Sequence, residues 1–331
     1  MTQLHRRKLL QLGLAVGTVG PLWTRFATAQ GVPDVARIVV GVPAGGSPDV
    51  IISRMLAERL TGKLAKSVIV DNRPGAGGRI AADNALQAPA DGTTLLFNPA
   101  GVLTIHPHVY KKMSYDPFRD FAPVSLVSTF NFAFGVGAAV PVGVKNLAQF
   151  ASWLKENPSK AAYGSPAAGT PPHFVGHAIS ESLGLGMTHV PYKGGAPAVS
   201  DLLGGQLTSL VMTEGDFLQH VRAGRARVIA ISGTERSLFY PEVQTLAAQN
   251  VKGLEHRDWY GLYIAGKPTA DVVGRVGDAL RPVLTSREFI AAIHNIGFEA
   301  KASSPQELDQ MARSDFKRWE PLIKATGFQG D

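Results

Sequence analysis

Residues 35–42 form an apolar, β-branched run without polar alternation, the pattern of a strand buried on both faces in a parallel sheet. The run enters Pro43-Ala44-Gly45-Gly46-Ser47-Pro48-Asp49, after which residues 50–60 have helical spacing, with Ile51, Met55 and Leu56 on one side. Ser47 is a natural N-cap, and Pro48 sits at the first helical position, where its missing N–H costs nothing. The unit recurs as strand 67–71, Gly-rich loop 73–78 and helix 80–86, then strands at 93–97 and 130–137 and a helix at 147–155. A strand at 161–164 leads through 165–172 to a helix at 174–183 capped by Thr170. Then come strand 188–190, helix 196–203, strands 207–212, 226–232 and 259–265, and helices 270–284, 286–296 and 305–326. This alternation predicts an α/β chain of parallel sheets with helices on both faces. Phe130, Phe132 and Phe134 alternate, which places them together on one face as core.

Four of these loops share one design: 43–49, 73–79, 165–172 and 193–197 each follow a strand, are rich in Gly or Pro and open a helix. A helix start carries unpaired N–H groups and about half a positive charge, so it holds a carboxylate or phosphate without a cationic side chain. In open α/β sheets ligands sit beyond the carboxyl ends of the strands, where these loops lie. The alternative is that Gly and Pro merely make turns; four such loops in two halves of the chain favour a shared anion site. No GxxxxGK[ST] or GxGxxG in a βαβ context is present, so no nucleotide cofactor is expected.

The length of 331 residues suits two α/β lobes. There is no Cys, which removes disulfides, thiolate metal ligands, a Cys nucleophile and a lipid-anchoring Cys, and fits an oxidising compartment. Residues 1–29 read as a signal peptide: Arg6-Arg7-Lys8 ahead of an apolar stretch from 9 to 22, then Ala27-Thr28-Ala29 as a cleavage pattern. The twin arginine followed by Leu9-Leu10 resembles a twin-arginine export signal. An uncleaved anchor is the rival reading, but the stretch is short of the ~20 residues that span a bilayer. The segment's four basic residues, taken from the formal charge of +7, leave +3 on the remainder, too mild to suggest nucleic acid.

Val68-Ile69-Val70-Asp71-Asn72-Arg73-Pro74-Gly75-Ala76-Gly77-Gly78 and Asp91-Gly92-Thr93-Thr94-Leu95-Leu96 resemble the Bug family, the TctC-like substrate-binding proteins of tripartite tricarboxylate transporters. Tyr115-Asp116-Pro117, Phe121-Ala122-Pro123-Val124, Tyr163-Gly164-Ser165 with Gly169-Thr170 and His173, His189-Val190-Pro191-Tyr192-Lys193-Gly194, Asp201-Leu202-Leu203-Gly204-Gly205-Gln206 and Trp319 extend the resemblance over the rest of the chain. It implies a type II periplasmic-binding-protein fold: two α/β lobes joined by two crossover strands, near 128–131 and 255–260, that close like a hinged trap. Residues 30–130 with 257–331 would form a discontinuous lobe I and 131–256 lobe II. The implied role is a periplasmic receptor, not an enzyme, that captures a small carboxylated solute (a di- or tricarboxylate, acidic amino acid or aromatic acid) for uptake, as a monomer, for membrane components of such a transporter.

By the same resemblance, Pro43, Ala44, Gly45 and Gly46 would hold one carboxylate through backbone donors or bridging waters, with Asp49 ordering that network. Ser165, Gly169 and Thr170 would grip the other end, with His173 close by. Lys193 reads equally as a counter-charge or an exposed lysine. The chain departs from the family at Gly41, usually Pro, at His106, usually Asn, and at Thr213-Glu214, usually Phe-Asp. Two other functions stay open: a secreted hydrolase built on Ser165, or on a metal at His173 and His177, and a ligand-sensing co-receptor for a membrane signalling protein. Gly164-Ser165-Pro166-Ala167-Ala168 is not GxSxG, and a third metal ligand is not evident.

Overall fold

The computed structural model describes residues 32–45 and 47–330; the expected signal peptide and Gly46 lie outside them. The chain begins with β1 (Val35–Val40), α1 (Pro48–Leu60), β2 (Ser67–Asn72), α2 (Arg79–Leu86), β3 (Thr94–Pro99) and two single-turn helices, α3 (Gly101–Thr104) and α4 (His106–Val109). A long strand, β4 (Phe121–Phe130), passes through Asn131 into β5 (Phe132–Val136). There follow α5 (Leu147–Glu156), β6 (Ala162–Ser165), α6 (Pro171–Leu183), β7 (Thr188–Pro191), α7 (Gly195–Gly204), β8 (Ser209–Thr213), α8 (Glu214–Arg222) and β9 (Arg227–Ile231). The chain then returns through β10 (Asp258–Ala265) to α9 (Ala270–Leu284), α10 (Arg287–Asn295), β11 (Glu299–Ala300) and α11 (Pro305–Thr326).

Two sheets result, with strand orders β11-β4-β10-β3-β1-β2 and β7-β6-β8-β5-β9. The expected purely parallel pairing is corrected: both sheets are mixed. In the first, β1 pairs in parallel with β2 and β3, while β10 runs antiparallel to β3 and β4. In the second, β6 pairs in parallel with β7 and β8, while β5 runs antiparallel to β8 and β9. The reversed strands are the two by which the chain enters each lobe from the other. The βα loops lie at the carboxyl ends of the parallel strands, facing the other lobe, so a chain arriving from that side must run in the opposite sense.

The first crossing is one residue long and buried. Asn131 donates from its backbone N–H to Glu214 Oε1 at 2.9 Å and from Nδ2 to Oε1 and Oε2 at 3.1 and 3.3 Å. Its carbonyl accepts the Glu214 N–H at 2.9 Å. Glu214 is fully buried. Beside it the Phe132 N–H donates to Ser232 Oγ at 2.9 Å, and Gly233 is close enough that a Cβ there would stand 2.6 Å from Asn131 Oδ1. Phe130, Phe132 and Phe134 are buried as expected, with Phe130 edge-on to Phe132 at 5.5 Å and Phe134 edge-on to Phe150 at 5.2 Å.

Helix α11 braces the crossing from the first lobe, against β4 and α6. Its start is a capping box: Ser304 Oγ accepts the Glu307 N–H at 3.2 Å and Glu307 Oε2 accepts the Ser304 N–H at 2.7 Å. Buried Trp319 fills its inner face, and buried Asp315 accepts Trp259 Nε1–H at 2.7 Å. Removing an N-cap hydroxyl costs about 0.5–2 kcal/mol. Ser304→Ala should therefore lower the thermal midpoint by a few degrees, read by circular dichroism, while Lys317→Ala on the exposed side of the helix leaves it unchanged.

Candidate functional site

The loops that open α1, α2 and α3 sit against one another in the first lobe. Asn72 Nδ2 donates to the Val42 carbonyl at 3.0 Å. A Cβ on Gly41 would lie 2.6 Å from Gly78 Cα, so the close approach of these loops requires a residue without a side chain there. Four consecutive residues, Gly75, Ala76, Gly77 and Gly78, have φ of 126°, 48°, 65° and 102°. Ala76 is the one of them for which this backbone is strained. Beneath them are two side chains with unpaired polar atoms. Asn98, 1 % exposed at the carboxyl end of β3, has no partner among the described residues for either Oδ1 or Nδ2. His106, also 1 % exposed, has none for Nδ1, and its Nε2 lies 3.2 Å from where a Gly77 Cβ would be. Burial, then the nearby Arg79 charge, lowers the His106 pKa to about 3, so its ring is neutral.

In the second lobe, Ser165 closes β6 and is fully buried. Its Oγ donates to the Ala167 carbonyl at 2.9 Å and lies 2.8 Å from His189 Nε2. With the hydroxyl proton directed to Ala167, His189 Nε2 must be the donor in that contact. His189 stacks on His173 at 3.9 Å, and His173 Nδ1 accepts the Gly169 N–H at 3.2 Å. Burial is the main cause that lowers the pKa of His173 to about 3 and of His189 to about 4. Ser165, His173 and His189 thus form a neutral brace under the loop. The Gly194 N–H donates to the Pro166 carbonyl at 2.9 Å and joins this loop to the start of α7, where Lys193 is exposed.

One expectation about these helix starts needs correction. The α6 start does not present a row of free amides: Pro171 and Pro172 have no N–H, and the His173 and Phe174 amides donate to the Thr170 carbonyl at 3.0 and 3.4 Å. Thr170 has the extended backbone of an N-cap, but its Oγ1 turns back to the Ala167 carbonyl at 2.7 Å. The donors this segment offers lie earlier, in the loop: the amides of Ala167, Ala168 and Thr170 make no hydrogen bond among the described residues. Ser47 likewise holds the N-cap backbone of α1 without making a cap, and its buried Oγ has no partner among the described residues.

The two sets of loops meet. A Cβ on Gly77 would lie 3.8 Å from Thr170 Cγ2, one on Gly101 2.8 Å from Pro171 Cδ, and one on Gly169 3.3 Å from the Tyr110 hydroxyl. The Arg79 guanidinium lies over the Tyr110 ring at 3.5 Å, which puts a cation at this junction. The charge of Asp49 in α1 acts on Asp216 in α8, and Tyr260 acts on Asp49. Asp216 Oδ2 accepts Thr213 Oγ1–H at 2.6 Å. Of the sequence-expected residues, the structure brings Asp49, Gly169 and Thr170 to the junction. It buries Ser165 and His173 behind the loop, leaves Pro43, Ala44, Gly45 and Lys193 exposed, and leaves Gly46 outside the described residues.

Arg79, Asn98, Asp216 and Tyr260 were not foreseen. Asn98 carried a usable signal, a polar residue at the carboxyl end of an apolar strand run. Among the described residues no group of three or more His, Cys, Asp or Glu side chains could hold a metal ion.

Comparison with known proteins gives a consistent picture. A family model described as the tripartite tricarboxylate transporter family receptor matches residues 52–328. A Pseudomonas sp. strain P51 protein, described as a UPF0065 protein in the tcbD-tcbE intergenic region, is 30% identical over 320 residues, covering 96% of this chain and 94% of that one. The solved periplasmic binding protein BugD superposes with a TM-score of 0.81 at 27% identity, covering 90% of this chain and 99% of that one. An R. palustris protein solved with adipate gives 0.83 at 28%, covering 89% and 98%.

The interacting acids Asp49 and Asp216 give the chain a pH dependence. Burial first, then the Asp49 charge, raises the Asp216 pKa from 3.8 to about 7, and burial raises Asp49 too. A carboxyl whose pKa is higher folded than unfolded contributes stability below its unfolded pKa, and that contribution is lost as pH rises through the folded value. The thermal midpoint of the wild-type chain should fall more steeply from pH 5 to pH 8 than that of Asp216→Asn, which keeps the Thr213 hydrogen bond. Parallel curves in scanning calorimetry would refute the assignment.

Proposed function

The chain belongs to the tripartite tricarboxylate transporter receptor family, and from that premise we propose that it is a periplasmic receptor that holds one small carboxylated solute between its lobes. The observation that carries this reading is the meeting of the Gly77–Gly78 loop and the Thr170 loop across the junction, with free amides on one side and Arg79 beside it. Such donors suit a carboxylate. In this reading residues 30–130 and 257–331 form lobe I, 131–256 form lobe II, and residues 1–29 direct export by the twin-arginine route. Uptake through membrane components of a tripartite transporter follows from the family role.

The residues we assign to the carboxylate are Arg79, the amides of Ala167, Ala168 and Thr170, and the 43–46 loop. The far end of the ligand meets Asp49 and Asp216. Two interacting buried carboxylates favour a proton or a donor beside them. We therefore assign a ligand with a carboxylate at one end and a protonated, hydroxyl or ammonium group at the other. Adipate, bound by the R. palustris relative, meets this with one carboxyl protonated and is the first diacid to test.

A hydrolase reading finds no support at Ser165. The hydroxyl is fully buried, its proton goes to a backbone carbonyl, and its histidine neighbour donates rather than accepts.

A ligand that binds only the folded state raises its stability by mass action. The purified chain, shown by native mass spectrometry to be free of co-purified ligand, should gain several degrees in thermal midpoint with adipate or another member of a mono- and dicarboxylate panel. Thr170→Glu places a negative charge at the loop and should weaken that ligand more than tenfold with an unchanged ligand-free midpoint. A panel with no response would sink the receptor reading.

A further inference from the structure

A cavity of about 330 Å³ is lined by residues next to the two crossings, and by none of the loop residues that meet at the interlobe junction. That is at the lower end of the size of small-molecule sites. Its wall lies beside both crossings. Thr129 is near the end of β4, two residues before Asn131, and His256 and Arg257 belong to the returning segment just before β10. β11 and α11 close the other sides.

The polar groups here are not used by the fold. His256 is 9 % exposed, and neither ring nitrogen has a hydrogen-bond partner among the described residues. Arg257 Nε is also buried and unpartnered. A buried polar atom left unpaired costs about 1–3 kcal/mol, so three such atoms on one cavity wall call for an occupant. The charge balance states its sign. Arg257 pairs with Glu299 at 2.5 Å and Arg318 with Asp315 at 2.6 Å. Lys301, exposed at the rim, makes no ion pair within 4 Å among the described residues, although its charge reaches Glu307. Asp258, next to Asp315, has its pKa raised to about 8 by burial first and so is mostly neutral at pH 7. His256 is neutral, its pKa lowered to about 4 by burial and then by Arg318. Of the three cationic side chains lining the cavity, Lys301 alone has no carboxylate within 4 Å among the described residues, and donors lie on the returning segment, after β11 and on α11.

We propose that this cavity binds a small tetrahedral oxyanion of the phosphate type. Donors from three elements match an anion with oxygens in three directions better than a planar carboxylate, whose two oxygens share one plane. The site also reaches the hinge: Arg257 acts electrostatically on Glu214, the residue that holds Asn131.

The test is titration of the purified chain with inorganic phosphate in a phosphate-free buffer at constant ionic strength, followed by calorimetry and by the His256 imidazole signals in NMR. Saturable binding that shifts His256, weakened at least tenfold by Lys301→Glu and unchanged by Lys155→Glu, supports the site. His256→Gln is the second variant: it should weaken phosphate while leaving the interlobe ligand's response to Thr170→Glu intact. No saturation, an unmoved His256, or equal binding by Lys301→Glu overturns the proposal and leaves a water-filled cavity. Acetate binding as tightly as phosphate overturns the tetrahedral assignment.

Discussion

One buried carboxylate governs how the two lobes are joined. Glu214 sits at the first turn of α8 with no exposed surface and spends its oxygens on the backbone and side-chain amides of Asn131. Its own N–H and carbonyl are taken by the Asn131 carbonyl and the Tyr240 hydroxyl. Burial pushes its pKa up, and the bonds from Ser237 and Asn131 with the Arg257 charge pull it back. A buried acid of this kind is costly unless every lone pair is used. The arrangement fixes where the chain leaves one sheet for the other, and motion between lobes must come from backbone torsions on either side of this clamp. It also gives a reason for the departure at Thr213-Glu214: Glu214 holds the crossing, and Thr213 holds Asp216.

From that clamp the chemistry of the interlobe region follows by position. β8 and α8 abut at Thr213, so fixing Glu214 also fixes Asp216 two residues later, within reach of the Asp49 charge. The loops that meet across the junction are not equivalent, however. Those of the first lobe gain reach from glycine: Gly41 and Gly78 touch, and residues 75–78 run with positive φ. The loop of the second lobe is stiffened by Pro171 and Pro172 and propped by His173. A stiff loop with two or three outward amides is preorganised, which lowers the ordering cost of binding. The helix macrodipole still points at this place, but the hydrogen bonds come from the loop before the helix.

Much of this was legible in the residues. The loops and the helices α9 and α11 appear where periodicity and turn chemistry put them, and Ser47 and Thr170 take the N-cap backbone without the cap hydrogen bond. β4 was hidden because Pro123 interrupts an alternating run, and proline argues against a central strand. In the structure Pro123 pairs opposite Tyr263, at a register irregularity that dispenses with its missing N–H. α8 was hidden because it starts directly after β8, with Gly215 in its first turn and no loop to announce it. Strand direction was not readable at all: the apolar runs of β5 and β10 look like parallel core strands, and their reversal depends on how the chain crosses between lobes. The same limit hid Asp216 and Arg79, whose significance lies in what faces them from distant parts of the chain.

A receptor for an acid that sets two interacting acids in its interior is a poor design until the two ends of the proposed ligand are considered separately. In the proposed assignment, amides and Arg79 at one end attract negative charge, and nothing there distinguishes a monoacid from a diacid. Discrimination would then come from the end assigned to Asp49 and Asp216, because a charged carboxylate arriving there is repelled while a donor is drawn in. Burial raises the Asp216 pKa to about 7 and raises that of Asp49 too. In the proposed assignment, the burial that makes these carboxylates expensive to the fold therefore favours a donor on the ligand over a second charged carboxylate.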